Sequence, residues 1–397
     1  MKTLKKRPNN NTIRVGCGVL SIILIGFALL CSGLISGVHF ISNPFPFVMA
    51  TIFASFTAVP YFLFLWWLDR NEPEPVLLLL TAFFWGAFVS TPISGIFNDT
   101  FSSFALQLVN NENLASQLSA SLSAPFIEEI TKGLALLVLF VVFIREFDNL
   151  LDGILYGGMI GLGFAWFENI LYYMKPFMDG SVGSMSGDAW GDMFLLVYMR
   201  GLVSAAGGSH VAFTALTGLG FGLLRHKRNS LWVWGMPFVG LGFAMLAHFA
   251  WNSFAGVIVG LIGGQSDGVS LLVGLPLATV VLQGPFTLFL LGAVWFAWSH
   301  EEKIIRQYLE DESESIITPL EHQELTPSLK RTTRTIVYFF KNGFGPWKKR
   351  HLLGRAHVEL AFAKWHNHED KEIDWSHDED AIIVGLREQI IAIKKGT

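Results

Sequence analysis

Charged side chains interrupt an apolar stretch of the chain in the segment APFIEEITK, which runs directly into GLALLVLFVVFI. Glu128, Glu129 and Lys132 stand there, the lysine four residues after the first glutamate and three after the second. On a helix all three share one face, because residues three and four apart are neighbours. Ionisable groups inside membrane segments are costly and mark functional sites. A carboxylate kept ionised by a nearby lysine can act as a general base.

Three later apolar stretches carry further polar side chains. Glu168 and Tyr172 lie four residues apart in WFENILYY, and His210 lies in GGSHVAFTALTG. His248 and Asn252 lie four residues apart in AHFAWNS. Two histidines and three glutamates around a cavity can bind a zinc ion. They can equally activate water without a metal, with histidine and asparagine as donors to an oxyanion. Both alternatives predict hydrolysis.

Eight apolar segments approach or exceed the length of about 20 residues that a membrane-spanning helix needs. The composition agrees, because 52% of the residues are hydrophobic, 15% are charged and the mean hydropathy is +0.46. The predicted fold class is all-α: a polytopic membrane protein with about eight transmembrane helices plus a small helical cytoplasmic tail. The predicted spans are residues 15–40, 46–68, 75–97, 125–144, 153–173, 201–224, 231–261 and 271–298.

Charge divides the chain into two predicted domains. About half of all Lys, Arg, Asp and Glu residues lie in the last quarter of the chain. Residues 1–298 are predicted to form a multi-spanning membrane domain, and residues 299–397 a polar tail with a linker at 310–329 and two helices. One tail helix is predicted to start at Pro346, and the other follows a capping box of Ser376 and Glu379.

Lys and Arg residues alternate between the connections of the predicted spans. They cluster before the first span and are absent from the predicted loops at 98–124 and 262–270, with the 174–200 connection as the exception. Positive residues accumulate in cytoplasmic connections. Both termini are therefore predicted to lie in the cytoplasm of a plasma-membrane protein, with the loop at 98–124 outside. The polar side chains of four helices then fall in the same outer half of the bilayer, and we expect them to line one cavity open to that side.

Structural explanations of the same residues stay open at this point. A glutamate pair can serve the dipole of a helix start, a lone histidine can be a hydrogen-bonded core residue, and a His–Asn pair can join two helices. Two other functions are alternatives: a non-catalytic membrane scaffold or sensor, and a proton-coupled transporter. Many transporters carry an internal repeat, and the EEITK segment has no counterpart elsewhere in the chain.

The four motifs, in this order, resemble those of the PrsW family of intramembrane proteases. They are EExxK at 128–132, FExxxY at 167–172, the lone His210, and HxxxN at 248–252. The resemblance covers roughly residues 120–260, and the family is similar to the CAAX-type glutamate endopeptidases. It implies a multi-spanning endopeptidase that cleaves a membrane-anchored protein. Family members are associated with first-site cleavage of an anti-sigma factor.

Carried onto this sequence, the resemblance implies a role for each motif residue. Glu128 or Glu129 would activate the water, with Glu128 favoured, and Lys132 would orient and balance the charge of both. His248 and Asn252 would steady the oxyanion. The implied catalytic set is Glu128, Glu129, Lys132, Glu168, His210, His248 and Asn252. In a zinc enzyme the predicted ligands are Glu129, Glu168, His210 and His248; otherwise no cofactor is expected. The expected partners are a membrane-anchored protein substrate and the lipid bilayer, without nucleic acid.

Overall fold

The chain is α-helical throughout its described part, which contains no β-strand. The computed structural model describes residues 33, 37–143, 146–147, 149–178, 186–205, 207–226, 231–263, 270–369 and 379–395. Its helices are α1 (Pro44–Leu68), α2 (Val76–Trp85), α3 (Thr91–Val109), α4 (Glu112–Leu118), α5 (Ala124–Val142), α6 (Leu150–Met178), α7 (Ala189–Leu196), α8 (Ser209–His226), α9 (Met236–Gly263), α10 (Leu275–Leu282), α11 (Gly284–Leu309), α12 (Pro319–Leu325), α13 (Ser328–Asn342), α14 (Phe344–Glu369) and α15 (Glu379–Lys395).

Several helical segments of the described residues are long and apolar enough to cross a membrane. There are five, or six if the pair Ser270–Leu282 and Gly284–Leu309, bent by 49°, is one span. The all-α membrane architecture is thus confirmed, but the predicted count of eight is not. The predicted span at 125–144 is missing from the five because α5 carries three charged side chains, and the predicted span at 15–40 lies almost entirely outside the described residues. The five segments are Pro44–Leu68, Val76–Val109, Leu150–Met178, Ala189–Arg225 and Leu231–Ile262.

Prolines explain three wide turns within these helices. A proline has no N–H to donate, and its ring crowds the carbonyl four residues earlier. A π-helical turn shifts the hydrogen bonding by one residue and lets the helix continue past the proline. Such turns join α2 to α3 and α4 to α5, and one precedes α10. They are Gly86–Ser90 before Pro92, Ser119–Ser123 before Pro125, and Ser270–Gly274 before Pro276.

Two consecutive asparagines make the turn between α3 and α4. Asn110 adopts the left-handed conformation, with φ of 48°, and ends α3 through its N–H to the carbonyl of Leu106. Asn111 begins α4, because its side-chain oxygen accepts from the N–H of Leu114 at 3.0 Å. Asparagine suits both positions. The predicted loop at 98–124 is therefore wrong: this segment is a helical hairpin.

α6 is the central helix of the membrane part and is buried without interruption from Leu150 to Phe164. It packs most extensively against α8 and also against α1 and α2. Glycines allow the close approach, since small residues let membrane helices touch through their backbones. A Cβ at Gly153 would lie 2.1 Å from the carbonyl oxygen of Gly218, and one at Gly161 would lie 2.1 Å from that of His210.

The chain divides into two compact units, Met1–Leu68 with Glu74–Gly292, and Asp69–Pro73 with Ala293–Thr397. The second unit, here called the tail unit, has a hydrophobic core of its own. The boundary at residue 298 stays a prediction. Core residues of the tail unit include Ile304, Ile305, Leu309, Ile316, Ile317, Leu325, Leu360, Phe362 and Ile390.

The tail unit holds more helices than the sequence predicted. Within its described residues α12 and α13 join the two expected helices, and the expected helix at Pro346 begins at Phe344 as α14. The predicted linker at 310–329 contains α12, because Thr318 and Glu321 form a capping box. The predicted capping box before α15 depends on Ser376, which lies outside the described residues.

A carboxylate with two cationic partners ties the tail helices together. Glu312 accepts from Arg387 Nη2 at 2.6 Å and from Lys364 Nζ at 2.9 Å. Burial alone would raise the pKa of Glu312, but the hydrogen bonds from Arg387 and Lys364 outweigh it and hold that pKa below its ordinary value. The ionised form of Glu312 therefore stabilises the tail unit.

Candidate active site

Four helices of the membrane unit bring six of the predicted side chains into one hydrogen-bonded cluster. α5 supplies two carboxylates and an ammonium, α6 a third carboxylate, and α8 and α9 one imidazole each. The cluster forms because charged groups in an apolar bundle are stabilised only by one another and by polar neighbours. Its members are Glu128, Glu129, Lys132, Glu168, His210 and His248.

The ammonium of Lys132 is the centre of the cluster and is completely buried. Its Nζ donates to Glu129 Oε1 at 2.8 Å and to His210 Nδ1 at 3.0 Å, and it lies 3.6 Å from Glu128 Oε2. It also lies 3.7 Å from the ring centroid of Phe164. One cation thus balances two carboxylates. A buried charge is stable only beside an opposite charge or hydrogen-bonding groups.

The contacts define which histidine nitrogens donate. An ammonium has only donors, so His210 accepts from the lysine at Nδ1 and donates from Nε2 to Glu168 Oε2 at 3.0 Å. An ionised carboxylate only accepts, so His248 donates from Nδ1 to Glu129 Oε1 at 3.0 Å. The Nε2 of His248 is then an acceptor without a donor among the described residues, 3.9 Å from Glu128 Oε2.

The two adjacent glutamates have different surroundings. Glu129 is fully buried and accepts three hydrogen bonds, the third from Thr214 Oγ1 at 3.3 Å. Glu128 accepts one, from Asn98 Nδ2 at 3.2 Å, and its Oε2 accepts none within the described residues. Glu129 therefore holds the cluster together, whereas Glu128 has an oxygen available for a new contact.

A cavity of about 470 Å³ opens beside the cluster. This volume lies within the range of ligand cavities, about 300–1,000 Å³. Glu129 and Lys132 do not reach the cavity wall. The predicted residues that line it are Glu128, Glu168, Tyr172, His210, His248 and Asn252. Polar residues of the hairpin also line it, among them Asn98, Asp99, Ser102, Ser116 and Ser119.

The GGSH segment places His210 in the first turn of α8. Gly208 has φ of +93° and Ser209 has φ of 42°, in the left-handed region that favours glycine. The N–H of Ser209 donates to Gln283 Oε1 at 3.1 Å, at the bend between α10 and α11. A Cβ at Gly207 would lie 2.2 Å from the same oxygen. The bent pair therefore fixes the start of α8 and, with it, the imidazole.

Sequence reasoning missed Arg200, which it assigned to a connection. Arg200 lies in the π-helical turn Val197–Ser204 and lines the cavity. Its Nη2 donates to Glu168 Oε2 at 2.6 Å, and its Nε donates to Asn169 Oδ1 at 3.0 Å. The guanidinium lies 3.7 Å from the ring centroid of Tyr172. The available signal was an isolated cation in the otherwise apolar segment VYMRGLVS.

Asn252 lines the cavity, but its amide donates to the backbone of the π turn that precedes α5. Its Nδ2 donates to the carbonyl of Ala120 at 2.8 Å. In a π turn that carbonyl would accept from the N–H five residues later. That residue is Pro125, which has no N–H. Asn252 therefore satisfies a carbonyl that the proline leaves without its helical donor.

Three of the side chains fit a metal ion. Ligand atoms of Glu128, His210 and His248 all lie within 4.8 Å of one another, and all three residues are buried. Two histidines and a glutamate form a known donor set of catalytic zinc. The predicted ligand set differs, since it named Glu129 and Glu168. In the structure these two carboxylates accept from the histidines, the position that orients ligating imidazoles in metal sites.

Comparison with known proteins agrees with the family that the motifs resemble. Residues 74–282 match the family described as PrsW family intramembrane metalloprotease. The Protease PrsW of Geobacillus kaustophilus (strain HTA426) is 26% identical over 201 residues, which cover 48% of this chain and 77% of that protein. The Protease PrsW of Bacillus subtilis (strain 168) is 36% identical over 106 residues, which cover 26% of this chain and 44% of that protein. No solved structure matches the chain.

Proposed function

Because the chain belongs to the PrsW family of intramembrane proteases, we propose that it hydrolyses a peptide bond of a membrane-anchored protein with Glu128 as the general base. The observation that carries this assignment is the carboxylate of Glu128. It lines the cavity, and its Oε2 accepts no hydrogen bond within the described residues. Glu129 has no such oxygen, because its neighbours already donate to both of its oxygens.

The proposed attack uses a water between two acceptors. Glu128 Oε2 and His248 Nε2 are 3.9 Å apart, so one water can donate a hydrogen to each of them. As the water oxygen bonds to the substrate carbonyl carbon, Glu128 takes one proton and the carbonyl π electrons move to oxygen. The C–N bond then breaks and the proton passes from Glu128 to the leaving nitrogen. The products are a new carboxyl group and a new amine.

Other side chains of the cluster orient these groups. Lys132 balances the charge of the glutamates in a dry site, since a nearby cation favours the charged form. Glu129 and Glu168 fix the hydrogen positions on the two imidazoles. Asn252 uses one amide hydrogen on the backbone and retains a second, which we assign to the oxyanion.

A zinc enzyme is the second form of this proposal, and the donor set of Glu128, His210 and His248 favours it. A zinc ion there would supply Lewis-acid activation of water or of the substrate carbonyl. In that form Glu128 is a ligand, and the carboxylates of Glu129 and Glu168 hold the imidazoles in the ligating orientation. His210 would ligate through Nδ1, so the ammonium of Lys132 would have to move away from that nitrogen.

We further propose that cleavage takes place near the outer membrane face, with both termini in the cytoplasm. The distribution of Lys and Arg between the connections supports this orientation. The anti-sigma factor expected from the motif resemblance stays a predicted substrate, supported by that resemblance alone. A scaffold or sensor and a proton-coupled transporter remain the alternative functions. A scaffold would keep its function after loss of Glu128, and a transporter would move protons across a sealed vesicle.

The test is cleavage of a panel of single-span membrane proteins, including an anti-sigma factor, by the purified protein in detergent. Glu128→Gln is compared with the matched control Glu112→Gln, an exposed glutamate at the start of α4. Cleavage by wild type and the control, but not by Glu128→Gln, supports the proposal. Inhibition by a chelator with recovery on adding zinc selects the metal form. Cleavage that continues after Glu128→Gln refutes both forms.

A further inference from the structure

The helix α13 of the tail unit has an exposed apolar stripe. On α13 its members stand at positions 329, 336, 337 and 340, which share one helical face, and Phe344 stands just beyond the end of the helix. Phe340 is 80% exposed and Phe344, which begins α14, is 62% exposed. Leu329, Ile336 and Val337 are 47%, 52% and 46% exposed. The stripe consists of Leu329, Ile336, Val337, Phe340 and Phe344.

Basic side chains border the stripe on one side. Lys330, Arg334 and Lys341 are exposed and stand four and seven residues apart, so they share one helical face, which adjoins the stripe at Val337. The segment 328–350 contains no Asp or Glu at all, and Lys348 and Lys349 extend its positive charge beyond the helix. The helix is thus amphipathic with an entirely cationic polar edge.

The opposite face of α13 is already occupied within the tail unit. Arg331 Nη2 donates to Asn71 Oδ1 at 2.6 Å. The guanidinium of Arg350 lies 4.7 Å from the ring centroid of Tyr338. One face of α13 therefore holds the helix in place, and the apolar stripe points away from these contacts.

We propose that the stripe of α13 inserts into the surface of an anionic lipid bilayer. Helices with aromatic and aliphatic residues on one face and Lys or Arg beside it lie in the membrane interface, and basic residues add attraction to anionic lipids. The chain is already anchored in the membrane, and α13 begins at Ser328, only 19 residues after α11 ends at Leu309. A second copy of this face is a poorer occupant, because it would bring two cationic edges together.

The proposal does not depend on proteolytic activity, so we test it by location. The full chain, with Cys17 and Cys31 replaced by serine, is reconstituted into vesicles that carry a lipid-attached quencher. A single fluorescent label is placed on Phe340→Cys or on the control Val384→Cys, an exposed apolar position on α15 of the same unit. Vesicles of zwitterionic lipid alone are compared with vesicles that also contain phosphatidylglycerol.

We expect strong quenching of the label at 340 in the anionic vesicles and weak quenching at 384. Neutralising Lys330, Arg334 or Lys341 with glutamine should lower the ratio of inserted to detached helix roughly fivefold for each residue, and high salt should act in the same direction. Three results overturn the proposal: equal quenching at 340 and 384, quenching at 340 that ignores lipid charge and salt, or label contacts between copies that rise with protein density.

Discussion

The unequal surroundings of Glu128 and Glu129 predict opposite outcomes for the same chemical change. Glu129→Gln removes the charge that lies 2.8 Å from a fully buried ammonium and weakens a second charge-assisted hydrogen bond, from His248. Hydrogen bonds to charged groups contribute about 1.5–3 kcal/mol each. Removing one partner of a buried ion pair costs about 3–5 kcal/mol. We therefore expect Glu129→Gln to lower the free energy of unfolding by about 3–5 kcal/mol.

Glu128→Gln should change stability far less. The glutamine oxygen can keep the hydrogen bond from Asn98, and the lost contact is an ion pair at 3.6 Å to a lysine that retains its closer partner. We expect a loss of about 1 kcal/mol, the net value of one hydrogen bond. Cleavage should nevertheless fall at least about 100-fold, because general bases contribute roughly 10²–10⁴ to the rate.

Two measurements on the same preparations test whether Glu128 is the base and Glu129 the structural carboxylate. Unfolding in mixed micelles with increasing SDS gives the free energy of unfolding, and single-turnover cleavage of a substrate found in the panel gives the rate. Equal stability losses in the two variants would refute the assignment of Glu129 as the structural carboxylate. A Glu128→Gln variant that keeps more than about a tenth of the rate would refute its role as the base or as a metal ligand.

Three further outcomes are expected. Gly161→Val should lower the unfolding free energy by about 1–3 kcal/mol and abolish cleavage in the same two assays, since its Cβ meets the backbone of His210; Gly242→Ala, where a Cβ meets nothing within 4 Å, should leave both unchanged. Arg200→Ala should alter the shape of the pH–rate profile through the contact of Arg200 with Glu168, and Arg200→Lys should largely restore that shape. A rate that falls by the same factor at every pH would mean that Arg200 has a purely structural role. The tail unit should lose stability as the pH falls through the depressed pKa of Glu312, because the stabilisation is complete only above the unfolded value of about 4.3; thermal unfolding from pH 7 to 3 tests this, and Glu312→Gln should flatten the dependence.

The convergence of the motif residues could be predicted because ionisable side chains in apolar helices have so few favourable environments. Four helices with such residues at matching depth are most simply satisfied by one cluster. The same principle explains why the predicted span at 125–144 is not among the five apolar segments. Hydropathy treats Glu128, Glu129 and Lys132 as obstacles to a membrane position, and only their partners on α8 and α9 show how the charges are balanced.

Other features depend on contacts between helices, which the spacing of residues along the sequence does not show. Arg200 stands at the edge of a predicted span, where a cation usually reaches the interface, so the isolated cation in VYMRGLVS did not by itself indicate a contact with Glu168. The polar residues at 98–124 lower the hydropathy of this segment, which therefore predicts a loop. In the structure these residues lie on helices, and several of them line the cavity. The difference between the two adjacent glutamates depends on Thr214 and Asn98, which lie on other helices.

The cluster also has a consequence for how the chain is made. Glu129 and Lys132 lie on the same helix and can pair as soon as α5 leaves the ribosome, but His248 follows Glu129 by 119 residues. At roughly 5–20 residues per second, synthesis of that interval takes about 6–24 s. Until His248 has been made, Lys132 on the same helix already balances the charge of Glu129. The lysine of the EExxK motif thus makes the helix insertable before any of its later partners exists.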